Sequence, residues 1–451
     1  MNDLMRELRL FLRLRSAVLA ILALFILAAA GVACGLSEVA RERAVIDRIP
    51  AKQASDVAAV AAWASKAMDP GDAAYYTFHH TFDPPSDLSF AAIGMRDAAP
   101  YILRVRALGL EAQLYESEIS NPESLLPGRF DFAFVLVYLA PLFVILLFHD
   151  LRSGEREAGR LGALEASVRS TEGLWRARTV VRYAALAAAL AIPFLGGALL
   201  ASVAAWKVAA VLAVILLYLA FWTALTLIVA RAARSSLANA MTLAAAWLVL
   251  TLLAPAAGHV GVNAAIPLSQ GSELSLKQRD VVHEAWDIPK SRTMDAFYKS
   301  HPEWADSPPL GQAFHWKWYF AFHQVGDESV AGLARAYRDG ILQRSAWADG
   351  LGFVLPGVAA QGALHRLAGT DPAAQIAYLD RVRAYHAKLR QFYYAFMFTD
   401  RPFEHADFDR APVFAPPAGD APRLPWMSLL ALFLGAATAG LLAVRAVRRG
   451  S

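Results

Sequence analysis

Tyr138-Leu-Ala-Pro-Leu-Phe-Val-Ile-Leu-Leu-Phe148 runs directly into His149-Asp-Leu-Arg-Ser-Gly-Glu-Arg-Glu-Ala-Gly-Arg-Leu161. An apolar run of membrane length stops at a charged, helix-prone segment, so a bilayer span continues into a surface on which a soluble partner can push. The rest of the chain has the same character. Of its 451 residues 57% are hydrophobic and 18% charged, too apolar for an ordinary soluble protein of two or three domains. Uncharged apolar runs of about 20 residues, the length that crosses a bilayer, occupy 17–35, 132–148, 183–204, 208–230, 237–257 and 426–444. Lipid offers no water to backbone N–H and C=O groups, and these runs lack the period-two alternation of a membrane barrel, so each is expected to be helical. The expected fold is an all-α integral membrane protein with six transmembrane helices and two large, mostly α-helical extracytoplasmic insertions.

Basic residues near the span ends set the orientation. Arg6, Arg9, Arg13 and Arg15 precede the first span, and Arg152, Arg156, Arg160, Arg169, Arg176, Arg178 and Arg182 fill the second loop. Arg231 and Arg234 follow the fourth span and Arg445, Arg448 and Arg449 the sixth, whereas the short loop between spans three and four offers only Lys207. Both termini of a multi-pass membrane protein are therefore expected in the cytoplasm. The chain divides into an N-tail and first span (1–35), a first extracytoplasmic domain (36–131), the second span (132–148), a cytoplasmic loop (149–182), spans three to five (183–257), a second extracytoplasmic domain (258–425), and the sixth span with its C-tail (426–451). The net charge of +4 reads as this topology signal and not as a nucleic-acid surface, since no zinc-finger or RNP-like pattern accompanies it. Cys34 is the single cysteine, so no internal disulfide forms. The run Ala28-Ala-Ala-Gly-Val-Ala-Cys34 has Gly31 where lipoprotein signals usually carry Leu, which favours an uncleaved first span.

In the first insertion, 37–67 keeps helical character with one interruption at Pro50, a stalk continuing the first span; 69–87 is rich in breakers, and 101–118 turns helical again. Asn121-Pro122 and Pro127-Gly128 mark the return to the bilayer. The second insertion carries Trp286, Trp304, Trp316, Trp318 and Trp347, with helix-like stretches at 273–282, 311–324, 329–344 and 373–396. So many large aromatics indicate a packed unit, joined to the last span by a proline-rich linker at 412–425.

No span carries an ionisable residue near its centre, which counts against a self-powered carrier, and no P-loop is present, so nucleotide energy must come from another subunit. His283-Glu-Ala-Trp-Asp287 has Asp where a zinc helix has its second His. His315 and His323 lie about two turns apart, too far for an ordinary ligand pair, and His79-His80 point in different directions. Arg96, in Gly94-Met-Arg-Asp97 near Asp83-Pro-Pro-Ser86, is free to bind an acidic group or to form an ion pair across a turn. No catalytic set, metal site or cofactor site can be assembled. After Leu151, by contrast, Leu161, Leu164 and Val168 recur at helical spacing and Glu165 precedes Arg169 by four, an amphipathic helix suited either to a protein partner or to anionic lipid.

With these residues the chain resembles the permease subunits of ABC-2 type ATP-binding-cassette transporters, in a bacterial subgroup with long extracytoplasmic loops and a domain of unknown function. The subgroup reads Gly-x-x-Asp-x-Ala-Phe before its second span, Tyr-Leu-x-Pro-Leu within it and Ser-x-Glu-x-Glu-x-Gly-Thr-Leu at its exit. Here these are Gly128-Arg-Phe-Asp131-Phe-Ala-Phe134, Tyr138-Leu-Ala-Pro141-Leu142 and Ser153-Gly-Glu155-Arg-Glu157-Ala-Gly159-Arg160-Leu161, with Arg160 in place of Thr. Gly71-Asp-Ala-Ala-Tyr-Tyr76, Asp83-Pro-Pro-Ser86 and Gly94-Met-Arg-Asp97 look like the same subgroup, whereas the Pro common after the exit is absent from 166–170. The resemblance implies a non-enzymatic, multi-pass subunit of the bacterial inner membrane, paired with a second permease copy or paralogue, embedded in membrane lipid and driven by a cytoplasmic ABC ATPase. It implies that Arg152, Glu155, Glu157, Gly159, Arg160, Leu161 and Leu164 couple to that ATPase. Export or extrusion of a substrate is the first expectation. Alternatives are mechanotransmission to a periplasmic partner and a membrane-anchored binding or sensor protein, with metal-dependent hydrolysis a distant fourth.

Overall fold

The computed structural model describes residues 3–63, 67–115, 130–168, 170–230, 235–268, 270–311, 314–417 and 424–448. The breakers at Asn121-Pro122 and Pro127-Gly128, the basic residues Arg169, Arg231, Arg234 and Arg449, and the centre of the 412–425 linker lie outside them. The described chain is mostly helical. Six helical segments are long and apolar enough to cross a membrane: Arg15–Ala61, Phe132–Glu157, Thr171–Leu200, Ala205–Ala230, Ser236–Ala265 and Trp426–Arg445. Five of them contain a whole apolar run, and the third holds its run only as far as Leu200, four residues short of the expected end. The helix Arg15–Ile46 alone has 32 residues, or about 48 Å at the α-helical rise, so it outruns a hydrocarbon core of about 30 Å and forms the expected stalk. The stalk breaks at Asp47 and Arg48, earlier than expected, because Pro50 occupies the first turn of the next helix, Ile49–Ala61, where its missing N–H has no helical partner to lose.

Two spans carry a π turn, Val135–Leu139 and Val249–Leu253, each ending two residues before a proline, Pro141 and Pro255. A proline ring collides with the carbonyl four residues back, and widening the preceding turn relieves that collision while freeing carbonyls. In the second span Tyr218 Oη donates to the Val137 carbonyl at 2.8 Å and Trp247 Nε1 to the Tyr138 carbonyl at 3.1 Å. Spans four and five therefore supply the bonds that Pro141 displaces, as an apolar interior requires.

The first insertion is less helical than expected. Where 101–118 read as helix, Ile102–Val105 is a strand paired antiparallel with His79–Phe82, in the register His79↔Val105 to Phe82↔Ile102, and helix returns only at Leu110–Tyr115. Leu103 and Val105 are buried while Arg104 between them is exposed, the period of a half-buried strand. Ala67–Met68 pairs with Phe403–Glu404, and Val60, Ala73 and Ala107 share one core with Phe297, Trp318, Phe320, Leu389 and Tyr393. The two insertions thus build a single body. In the second, the stretch 311–324 from Trp316 onward and all of 329–344 belong to one helix, Trp316–Gly352. Gly326 lies against Val281 and Val282, and Ser329 Oγ donates to the Gly326 carbonyl at 2.7 Å, so neither residue interrupts it.

A helix at Pro356–Ala368, unforeseen in the sequence, packs Ala359, Ala360, Ala363 and Leu364 into the same apolar core as spans two and four. Gly357 lies against Tyr218 and Val137, and Tyr138 Oη reaches Gln361 at 3.4 Å. Small side chains permit this close approach among membrane helices. Gly31 serves the same end in the first span, since a Cβ there would sit 2.8 Å from the Asp131 carbonyl. Lys207, in the first turn of the fourth span next to its loop from the third, pairs with Asp87 of the first insertion at 2.5 Å. That loop and the insertions occupy one end of the bundle; the segment after Phe148 occupies the other.

Candidate functional site

The second span begins at Asp131, whose carboxylate accepts from the N–H groups of Phe134 (2.8 Å) and Ile93 (2.9 Å), capping the helix and tying it to the first insertion. It passes the π turn and ends in an elbow. One amphipathic helix was expected there; two short ones stand in its place, Ser153–Glu157 and Leu161–Ala166. The break falls at Gly159, whose φ of +69° is a conformation that non-glycine residues rarely adopt.

The two carboxylates of the elbow reach different helices. Glu155 binds Arg160 at 3.0 Å and, through its other oxygen, Arg178 of the third span at 3.0 Å. Arg178 also holds the buried Glu7 of the N-terminal helix Asp3–Arg13 at 3.2 Å and lies over the Trp175 ring. Glu157 instead accepts from the Ser236 N–H at 2.6 Å, in the first turn of the fifth span, where a carboxylate also complements the positive end of the helix dipole. Beside it, Ser153 Oγ and Ser236 Oγ are 2.8 Å apart, and Asn239 Nδ2 donates to the His149 carbonyl at 3.2 Å. The elbow is therefore fastened to the N-terminal helix, the third span and the start of the fifth. An exposed ion pair contributes about 0–1 kcal/mol, but Arg178 serves two carboxylates and Glu7 is buried, so the cluster acts as a unit.

Of the residues read from the sequence, Glu155 and Arg160 come together, Glu157 faces the fifth span, and Arg152 pairs with Glu165 at 3.3 Å. Leu161 and Leu164 lie on the second short helix, each half-buried. Glu7, Arg178, Ser236 and Asn239 were not singled out. Arg178 had read as a topology charge, and nothing in one dimension joins positions 7, 155 and 178; a polar Asn at the head of an apolar run was the one available signal.

The other candidates have internal roles. Arg96 binds Glu42 of the stalk at 2.7 Å and Asp83 at 2.9 Å, and Asp83 in turn binds Arg381 of the helix Pro372–Met397 at 2.5 Å. It is thus an ion-pair centre and not an open anion site. His315 caps the long helix by accepting from the Lys317 N–H at 3.2 Å. His323 is buried in the shared body and burial pushes its pKa down to about 3; His79, bonded to Tyr393 Oη at 3.1 Å, is pushed to about 4. His283 and Asp287 are exposed, and among the described residues no three His, Cys, Asp or Glu side chains converge as a metal site. A cavity of about 400 Å³ in the shared body is lined by Glu111, Asp327, Arg383, His386, Arg390 and Tyr394 among others. Its charges are paired internally: Arg390 with Asp327 at 2.7 Å and Arg383 with Glu111 at 2.8 Å.

Fold and site together define a multi-pass helical chain with one composite body at one end and a clamped elbow at the other. A family model described as a domain of unknown function (DUF3526) matches residues 272–416. That match covers less than half of the chain, lies within the second insertion and stops short of the elbow. No curated protein and no solved structure matches the chain.

Proposed function

We propose that this chain is the membrane subunit of an ATP-driven ABC-2 type complex that exports or extrudes a substrate, with hydrolysis in a separate cytoplasmic ATPase. What supports the reading above all is the elbow, where adjacent turns fasten to three different membrane-proximal helices. A push on the short helix Leu161–Ala166 reaches the third span and the N-terminal helix through Glu155 and Arg178, and the fifth span through Glu157 and Ser236. The absence of a P-loop from the sequence agrees with an external energy source. Rigid-body motion is the means by which such a push opens a path between packed helices. In this reading the half-buried Leu161 and Leu164 dock the ATPase, and the carboxylates behind them pass the motion on.

Docking and transmission are separable by experiment. Leu161→Ala with Leu164→Ala is expected to lose co-purification of the ABC ATPase, whereas Glu157→Ala retains the ATPase and its hydrolysis but uncouples hydrolysis from movement of substrate in sealed vesicles. If both variants copy the wild type in both assays, the elbow is not the coupling element. A second reading, mechanotransmission to a periplasmic partner, draws on the chain of contacts Glu42–Arg96–Asp83–Arg381, which joins the outer end of the first span to the composite body.

A further inference from the structure

We infer that the groove between the N-terminal helix and the first and third spans is a binding site for the acyl chain of an anionic phospholipid. The helix Asp3–Arg13 is strongly two-faced. Leu8, Phe11 and Leu12 form one wall of a groove of about 300 Å³, Ile21 of the first span a second, and Val181 and Ala184 of the third span the last; the lining is wholly apolar. Leu4, Leu8 and Leu12 remain 46%, 39% and 62% exposed. Leaving three leucines in water forfeits burial free energy, but this groove opens beside two membrane spans, where the surrounding medium is hydrocarbon.

The charge pattern selects the headgroup. Arg6, Arg9 and Arg13 lie on the opposite side of the helix from the groove, and Arg15 follows in the next helix. Glu7 is turned inward onto Arg178 and meets Arg6 at 3.9 Å with its other oxygen, one carboxylate beside a row of four arginines that remains basic in sum. A two-faced helix with leucines toward the acyl chains and arginines at headgroup level is the pattern of an interfacial helix, and each basic side chain favours an anionic surface. The occupant also bears on the elbow, because the helix that walls the groove supplies Glu7 to the cation shared with Glu155. The inference needs only the membrane location, not the ATP-driven reading.

The test uses the purified full-length protein in phosphatidylcholine vesicles doped with spin-labelled phosphatidylglycerol or spin-labelled phosphatidylcholine, measuring the motionally restricted lipid fraction. Wild type is expected to retain phosphatidylglycerol about tenfold over phosphatidylcholine. Ala184→Phe, which fills the groove, is expected to lower the restricted fraction by the groove's share and to bring the two lipids level, the shell around the other spans remaining. Arg13→Gln with Arg15→Gln, both at exposed positions, is expected to keep the chain and lose the headgroup preference. Equal retention of the two lipids by wild type overturns the proposal, as does an unchanged preference in the double arginine variant. A groove occupied by a second copy, seen as loss of restricted lipid on dimerisation, overturns it equally.

Discussion

At the scale of single residues, the composite body stores neutral histidines. His79 and His323 are buried, with pKa values pushed down to about 4 and about 3, and burial likewise lowers His386. A folded-state value below the ordinary 6.5 means that the unfolded chain binds more protons in the interval between them. The stability held by His79 is therefore complete above about pH 6.5 and declines as pH falls toward about 4, by on the order of 3 kcal/mol. The unfolding midpoint of the purified protein is expected to drop across that window, and His79→Gln to flatten the drop. A midpoint independent of pH between neutrality and about pH 4.5 contradicts this account.

Among the elements, the second span carries both the π turn and the elbow. Its π turn follows from Pro141, and the freed Val137 carbonyl depends on Tyr218 Oη. Tyr218→Phe keeps the ring and removes the donor, leaving a buried acceptor unsatisfied at a cost of about 1–3 kcal/mol. The expected result is a lower thermal midpoint with unchanged membrane insertion; an unchanged midpoint means that the widened turn needs no external partner. The apolar runs were legible because the bilayer imposes length and composition on each span separately, and Pro141 was legible as part of a motif. Its π turn was not, because the partners that make it tolerable lie at 218 and 247. The strand at 102–105 was missed for a related reason: four residues between polar neighbours match either period, and pairing with 79–82 decides. The elbow's break was present in Gly159 but was read through as helix. The two departures from the permease pattern that the sequence resembles, Arg160 and the missing proline, fall in or just after this segment, and Arg160 bonds back to Glu155 across the break.

For the whole molecule, the first span joins the two ends. Its elbow end is held through Glu7 and Arg178, and its far end through Glu42 and Arg96, which continues by Asp83 to Arg381 in the second insertion. That the two insertions close into one body was invisible in the sequence, since the strand pair Ala67–Met68 with Phe403–Glu404 joins segments more than 300 residues apart and the shared core is built from both insertions. Arg96→Met removes the cation 2.7 Å from Glu42, a carboxylate only 3% exposed; removing one partner of a buried pair costs about 3–5 kcal/mol. Limited proteolysis is expected to open the composite body of this variant while the spans stay protected, and equal protection throughout counts against the link. The central claim, that the elbow receives the stroke of an ABC ATPase, is tested most directly by a photo-crosslinking amino acid at Leu161 in intact membranes, with the exposed Leu434 of the sixth span as the control position. The account predicts an adduct between position 161 and the ATPase whose yield changes with ATP, and none from position 434. Adducts to lipid alone, or an ATPase adduct of equal yield from both positions, would contradict it.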